Sequence, residues 1–126
     1  MLEISNTTKK TPFSKESEFV AIYNSVLGKK YDLSLSFVGE KLAKKLNQTY
    51  RQKSYIPNVL SFLLSETEGE IFICLNTIKK EAPEFEMTPK QYEKYLFIHG
   101  CLHLKGLDHG DEMEKQEEKF KKLFLK

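Results

Sequence analysis

The pattern of the sequence points to an α+β fold: a small mixed four-stranded sheet packed with about four helices, one of them central and buried. Short segments that alternate or run continuously apolar are interspersed with segments whose apolar residues recur every three to four positions. The resulting order is βαβαββαα, which suits helices layered on one small sheet. The 126 residues suit one domain spanning residues 1–126, long enough to bury roughly two-thirds of the unfolded surface.

Met1–Ser5 is expected as an edge strand. Thr11-Pro12 offers a cap and a first-turn proline. Phe19, Ile22, Tyr23, Val26 and Leu27 follow at helical spacing until Gly28 closes the helix. Leu33, Leu35 and Phe37 alternate with serines, the mark of a half-buried strand. A second helix fits Glu40 to about Arg51, with Leu42, Ala43, Leu46 and Tyr50 on one side. Pro57 breaks the chain before a strand at Val59–Leu64. Gly69 is expected to mark the turn into a further strand, Glu70–Leu75, rich in Ile and Phe.

The best-marked helix comes next. Thr88 is its N-cap, Pro89 its first residue, and Gln91 completes a capping box. Tyr92, Tyr95, Leu96, His99, Leu102 and His103 form one stripe, and Phe97, Ile98, Cys101 and Leu104 make much of the remainder apolar. A helix apolar on most sides is a buried one. Gly106 ends it, and a last helix from about Asp111 carries Met113, Glu117, Phe120 and Phe124 at three- and four-residue steps.

Apolar residues are 40% of the chain and charged residues 30%, which excludes collagen-like, disordered and disulfide-scaffold classes. Apolar runs no longer than Ile71–Leu75 fall far short of the ~20 residues of a membrane span. The polar, mixed Met1–Lys10 is no signal peptide, so a cytoplasmic location and no membrane partner are expected. A net charge of +2 does not by itself indicate nucleic-acid binding, and the lysine pairs read as solvated faces. Cys74 and Cys101 lie in apolar surroundings and read as buried, reduced thiols.

All three histidines fall within His99–His109. His99 and His103, at i and i+4, project from one helix face about a turn apart, which is the reach two imidazoles need to bind one ion at about 2.0–2.1 Å. Gly106 then turns the chain, and His109 returns close enough to supply a third nitrogen. Three protein ligands with one open position is the catalytic zinc arrangement. Cys101 lies ~200° round the helix from either histidine and is a poor ligand candidate. The competing reading makes His99 and His103 satisfied core residues and His109 a turn cap. The spacing around a helix-stopping glycine favours the metal set. Gly100 occupies the position where HExxH peptidases carry their glutamate base. It signals either close helix packing or open space beside the metal for an anionic substrate. Asp108 is either a turn residue or a group that orients a ligand imidazole or holds a water.

Arg51 is the lone arginine among 20 basic residues. Where lysine is so strongly favoured, a surviving arginine sits where a planar, bidentate fork matters: on phosphate, or in a buried ion pair. Lys53 adds charge nearby, and Lys41, Lys44 and Lys45 could extend a basic track toward Arg51.

The run His99-Gly-Cys-Leu-His103-Leu-Lys-Gly-Leu-Asp108-His109 resembles the HGxLHLxGxDH signature of the bacterial YbeY proteins. These are rRNA maturation factors described as single-strand-specific endoribonucleases. Leu46–Lys53 is similar to the family's LNxxYRxK segment, Val59–Phe62 to its VLSF strand, and Gly69–Ile73 to its G-D-I-x-I strand. The chain departs from the family pattern at Ser54, which stands for Asp, and at Pro57-Asn58, which stand for Thr-Asp. The loop between Phe62 and Gly69 is also short, and the segment after His109 compressed.

The resemblance implies one zinc ion, or another divalent transition metal, on His99, His103 and His109. It implies that Arg51 acts on RNA beside the metal. The implied reaction is metal-dependent hydrolysis of single-stranded RNA in rRNA maturation, at the 3′ end of 16S rRNA, with a role in ribosome quality control. The implied partners are rRNA and the small ribosomal subunit, with no DNA expected. Arg51 and Asp108 are the catalytic candidates, and Arg51 and Lys53 the substrate-binding ones. The alternatives are a non-catalytic RNA-binding assembly factor with a structural metal and, against the missing glutamate at Gly100, a metal-dependent peptidase.

Overall fold

Strands β1 (Leu2–Asn6), β2 (Asp32–Val38), β3 (Val59–Ser65) and β4 (Glu68–Cys74) form one sheet in the order β1-β2-β4-β3. The structure is a computed structural model and describes residues 1–107 and 110–126. β1 pairs parallel to β2 and β2 parallel to β4, while β3 and β4 form an antiparallel hairpin. The mixed sheet therefore follows the expected plan, with β1 at an edge. Register places Leu35 between Ile4 and Ile71. Because side chains alternate across a strand, Leu33, Leu35 and Phe37 share one buried face with Ile71 and Ile73.

Among the described residues, five helices accompany the sheet: α1 (Glu16–Val26), α2 (Glu40–Arg51), α3 (Leu75–Glu81), α4 (Pro89–Leu104) and α5 (Asp111–Phe124), with a short 3-10 helix at Ala82–Phe85. α4 lies at the centre, and Tyr92, Phe97, Ile98, Cys101 and Leu102 are fully buried in the main core. Its expected capping box is present. The Thr88 hydroxyl accepts from the Gln91 N–H at 3.1 Å, and the Gln91 side chain accepts from the Thr88 N–H at 3.0 Å. Gly106 follows with a φ of +98°, a conformation glycine adopts without penalty.

Four local expectations are corrected. α1 begins at Glu16, not at Thr11-Pro12, because the Phe13 and Ser14 N–H groups donate to the Glu93 carboxylate, at 3.0 and 2.7 Å. That bond holds the preceding segment off the helical path. On α2 the buried residues are Ala43 and Asn47, whereas Leu42 and Tyr50 are exposed. Gly69 lies within β4, not at the turn. A Cβ there would stand 2.6 Å from the Tyr31 hydroxyl and 2.9 Å from both Leu104 methyls, so close packing explains the glycine. Finally, Leu75 leaves the strand to open α3, which the sequence pattern had not separated from the following loop. Among the described residues, no helix is long and apolar enough to cross a membrane.

Candidate metal centre

His99 and His103 sit on the same face of α4, with ring centroids 4.5 Å apart and the rings nearly perpendicular. Their Nε2 atoms approach to 2.9 Å. His99 Nδ1 lies 2.7 Å from Glu117 Oε1, supplied by α5. A carboxylate only accepts, so the contact selects the tautomer with the proton on Nδ1 and leaves the His99 Nε2 lone pair facing His103. Tyr95, one turn before His99, donates its hydroxyl to Glu117 Oε2 at 3.2 Å. Burial, with the Glu117 charge beside it, pushes the Tyr95 phenol up to about 12, which keeps it a donor at neutral pH. Glu117 is thereby gripped at both oxygens and braces the His99 ring.

The pair fits a metal ion. Two nitrogens on one tetrahedral ion stand ~3.4 Å apart when each bond is ~2.05 Å, so the observed 2.9 Å separation needs only a small parting. A carboxylate behind a ligating histidine is also the usual outer support of such a site. His109 and Asp108, the third proposed ligand and its neighbour, lie outside the described residues.

The two histidines open onto a cleft of about 530 Å³ that Arg51 also lines. Arg51 closes α2 and is exposed, which excludes the buried ion pair. Lys53 is exposed two residues further on, outside the described lining. Cys101 faces the core, fully buried, and burial pushes its thiol well up, so it is no metal ligand in this arrangement.

Gly100 belongs to packing. Its hydrogen points at the sheet, where a Cβ would meet Ser61 Oγ at 3.0 Å and Ile71 Cδ1 at 3.1 Å. Close packing against Ser61 and Ile71 therefore accounts for the glycine, and a residue without a side chain supplies no peptidase base at this position.

Asn58, a departure from the family pattern, has a definite task. Its Oδ1 accepts from the Val59 N–H at 2.7 Å, and its Nδ2 donates to Glu81 Oε1 at 3.2 Å and to the Tyr92 hydroxyl at 3.1 Å. Tyr92 donates to the same Glu81 oxygen at 2.7 Å. An aspartate at 58 would set two carboxylates against each other, whereas the neutral amide donates to Glu81 and adds no second charge. Glu117 and this network were not singled out by pattern. The one available signal was a glutamate on the otherwise apolar stripe of α5.

A family model described as Endoribonuclease YbeY matches residues 3–124. The Endoribonuclease YbeY of Polynucleobacter asymbioticus is 42% identical over 95 residues, covering 72% of this chain and 60% of that protein. That of Neisseria meningitidis serogroup B is 36% identical over 129 residues, covering 91% and 76% respectively. Among solved structures, the solution structure of TM1509 from Thermotoga maritima superposes with a TM-score of 0.69 at 26% identity, covering 96% of this chain and 87% of that one.

Proposed function

The chain belongs to the YbeY family of endoribonucleases, and from that premise we propose that it cuts single-stranded RNA in rRNA maturation, using one zinc ion on His99, His103 and His109. The observation that carries the reading is the facing Nε2 pair, 2.9 Å apart, in a cleft shared with Arg51. Bound there, a divalent ion supplies Lewis acidity toward a water and a phosphoryl oxygen.

The chain's own residues do the remaining work. Glu117 fixes the His99 tautomer, so that Nε2 presents a lone pair to the ion. Arg51 offers a fork of N–H donors to the phosphodiester oxygens, where negative charge grows as the bond to the attacking oxygen forms. Asp108 orients a ligand imidazole or holds the attacking water. Lys53, with Lys41, Lys44 and Lys45 exposed on α2, adds positive charge that draws the RNA backbone in and weakens with salt. The proposed target is the 3′ end of the small-subunit rRNA, within ribosome quality control in the cytoplasm.

The test compares zinc-loaded and metal-free protein on single-stranded and duplex RNA, beside His103→Ala and Arg51→Ala. Cleavage should need the metal, prefer the single strand and fall steeply in both variants. Equal trace cleavage by all four preparations would overturn the reading.

A further inference from the structure

The cleft carries aromatic surface that the metal chemistry does not use. Phe85, at the end of the 3-10 helix, is 48% exposed and lines the cleft. Its ring is braced from below the surface by Tyr92, stacked at a centroid distance of 5.0 Å and an interplanar angle of 27°. Tyr92 is itself fixed, fully buried and bonded to Asn58 and Glu81. Phe85 is thus a half-bare ring held in one orientation. Tyr55, on the loop between α2 and β3, lines the same cleft and is 54% exposed. Single exposed apolar residues are ordinary on a surface. A braced ring, a second exposed ring and an arginine in one cleft are the combination that unpaired bases and their phosphates recognise.

Geometry connects Phe85 to the histidines. Ring centroids step 6.2 Å from Phe85 to Tyr95 and 6.1 Å from Tyr95 to His99. Phe85 therefore lies no further than ~12 Å from the metal-facing ring, about two nucleotides of extended single strand.

We propose that Phe85 is a base-stacking platform, on which an unpaired base near the scissile phosphate lies while that phosphate sits at His99 and His103. This rests on the ribonuclease reading and deepens it: preference for single strands arises because a paired base keeps its faces inside the helical stack and has none to offer. Stacking of a base on an aromatic ring favours no particular base, so the platform selects strandedness rather than sequence.

The experiment uses zinc-loaded full-length protein with Phe85→Leu, which keeps an apolar side chain but removes the π face, and Phe85→Trp, which restores one. Binding of a fluorescent single-stranded RNA is read by anisotropy and cleavage by KM and kcat, with thermal melting as the fold control. An abasic nucleotide is then moved stepwise through the substrate. Phe85→Leu should raise Kd and KM roughly 5- to 150-fold, and Phe85→Trp should return them close to wild type. One abasic position should weaken wild type by a similar factor and Phe85→Leu hardly further. Wild-type affinity in Phe85→Leu, or additive losses at every abasic position, would overturn the platform. Binding without cutting by the wild type removes the nuclease and leaves the platform; cutting with an indifferent Phe85→Leu removes the platform alone. Absence of any RNA binding overturns both.

Discussion

Replacing Glu117 with glutamine separates the support of the proposed metal centre from its ligands. Glutamine keeps the shape and can still accept from His99 Nδ1, now 2.7 Å from Oε1, but it loses the negative charge. Both side chains are largely shielded, His99 at 18% exposure and Glu117 at 14%, so solvent screens little of the contact. A hydrogen bond to a charged acceptor is about twice as strong as a neutral one, and the difference is about 1 kcal/mol. Part of that strength appears as basicity at His99 Nε2. Loss of an outer partner of this kind typically weakens metal binding 10- to 100-fold. Because the neutral hydrogen bond survives, Glu117→Gln should sit near the tenfold end and Glu117→Leu nearer a hundredfold. Competition for zinc against a chromophoric chelator at constant pH reads the affinity. Nitrogen-15 NMR of the imidazoles in the metal-free protein reads the tautomer, which should be Nδ1-protonated at His99 in wild type and mixed in Glu117→Leu. Unchanged zinc affinity and unchanged tautomer in both variants would refute the reasoning.

Two further predictions concern the fold that positions this centre. Gly69→Ala should lower stability by about 1–3 kcal/mol in denaturant unfolding, because its Cβ would press on Tyr31 and Leu104; a neutral result would show that the β4–α4 contact is loose. Glu93 is fully buried, and burial raises its carboxyl above 4.5 despite the two backbone N–H donors. Its folded-state pKa thus exceeds the unfolded one, so its contribution to stability is full below about 4.5 and is lost as pH rises through the raised value. The stability of wild type relative to Glu93→Gln should therefore shrink as pH rises above about 4.5 in parallel urea titrations; a widening gap would contradict the direction assigned.

What pattern alone could read follows from how local its causes are. The capping box of α4 and the i, i+4 histidines depend on residues within one or two turns, and both stand as expected. The start of α1 depends on Glu93, 79 residues from Ser14, and no local signal carries that bond. Gly69 looked like a turn because a glycine required by Tyr31 and Leu104 is indistinguishable in sequence from one required by a bend. The amphipathic spacing of α2 suggested a face with Leu42 and Tyr50. The buried side instead centres on Ala43 and Asn47, and Tyr50 packs edge-on against Phe62 while remaining mostly exposed. Glu117 shares its helix with Glu112, Glu114 and Glu118. Apart from its place on the otherwise apolar stripe of α5, only the approach of α5 to α4 distinguishes it, and that approach is tertiary. The pairing of His99 and His103 on one face of α4 was legible in the sequence, whereas the carboxylate behind it and the rings beside it were not.

X-ray absorption at the zinc edge of the metal-loaded protein interrogates the proposed centre itself. It should report three imidazole rings with nitrogens at about 2.0–2.1 Å and one oxygen scatterer that exchanges with added phosphate, and His103→Ala should lower the imidazole count by one. A sulfur neighbour, or four protein ligands with no exchangeable position, would contradict the account.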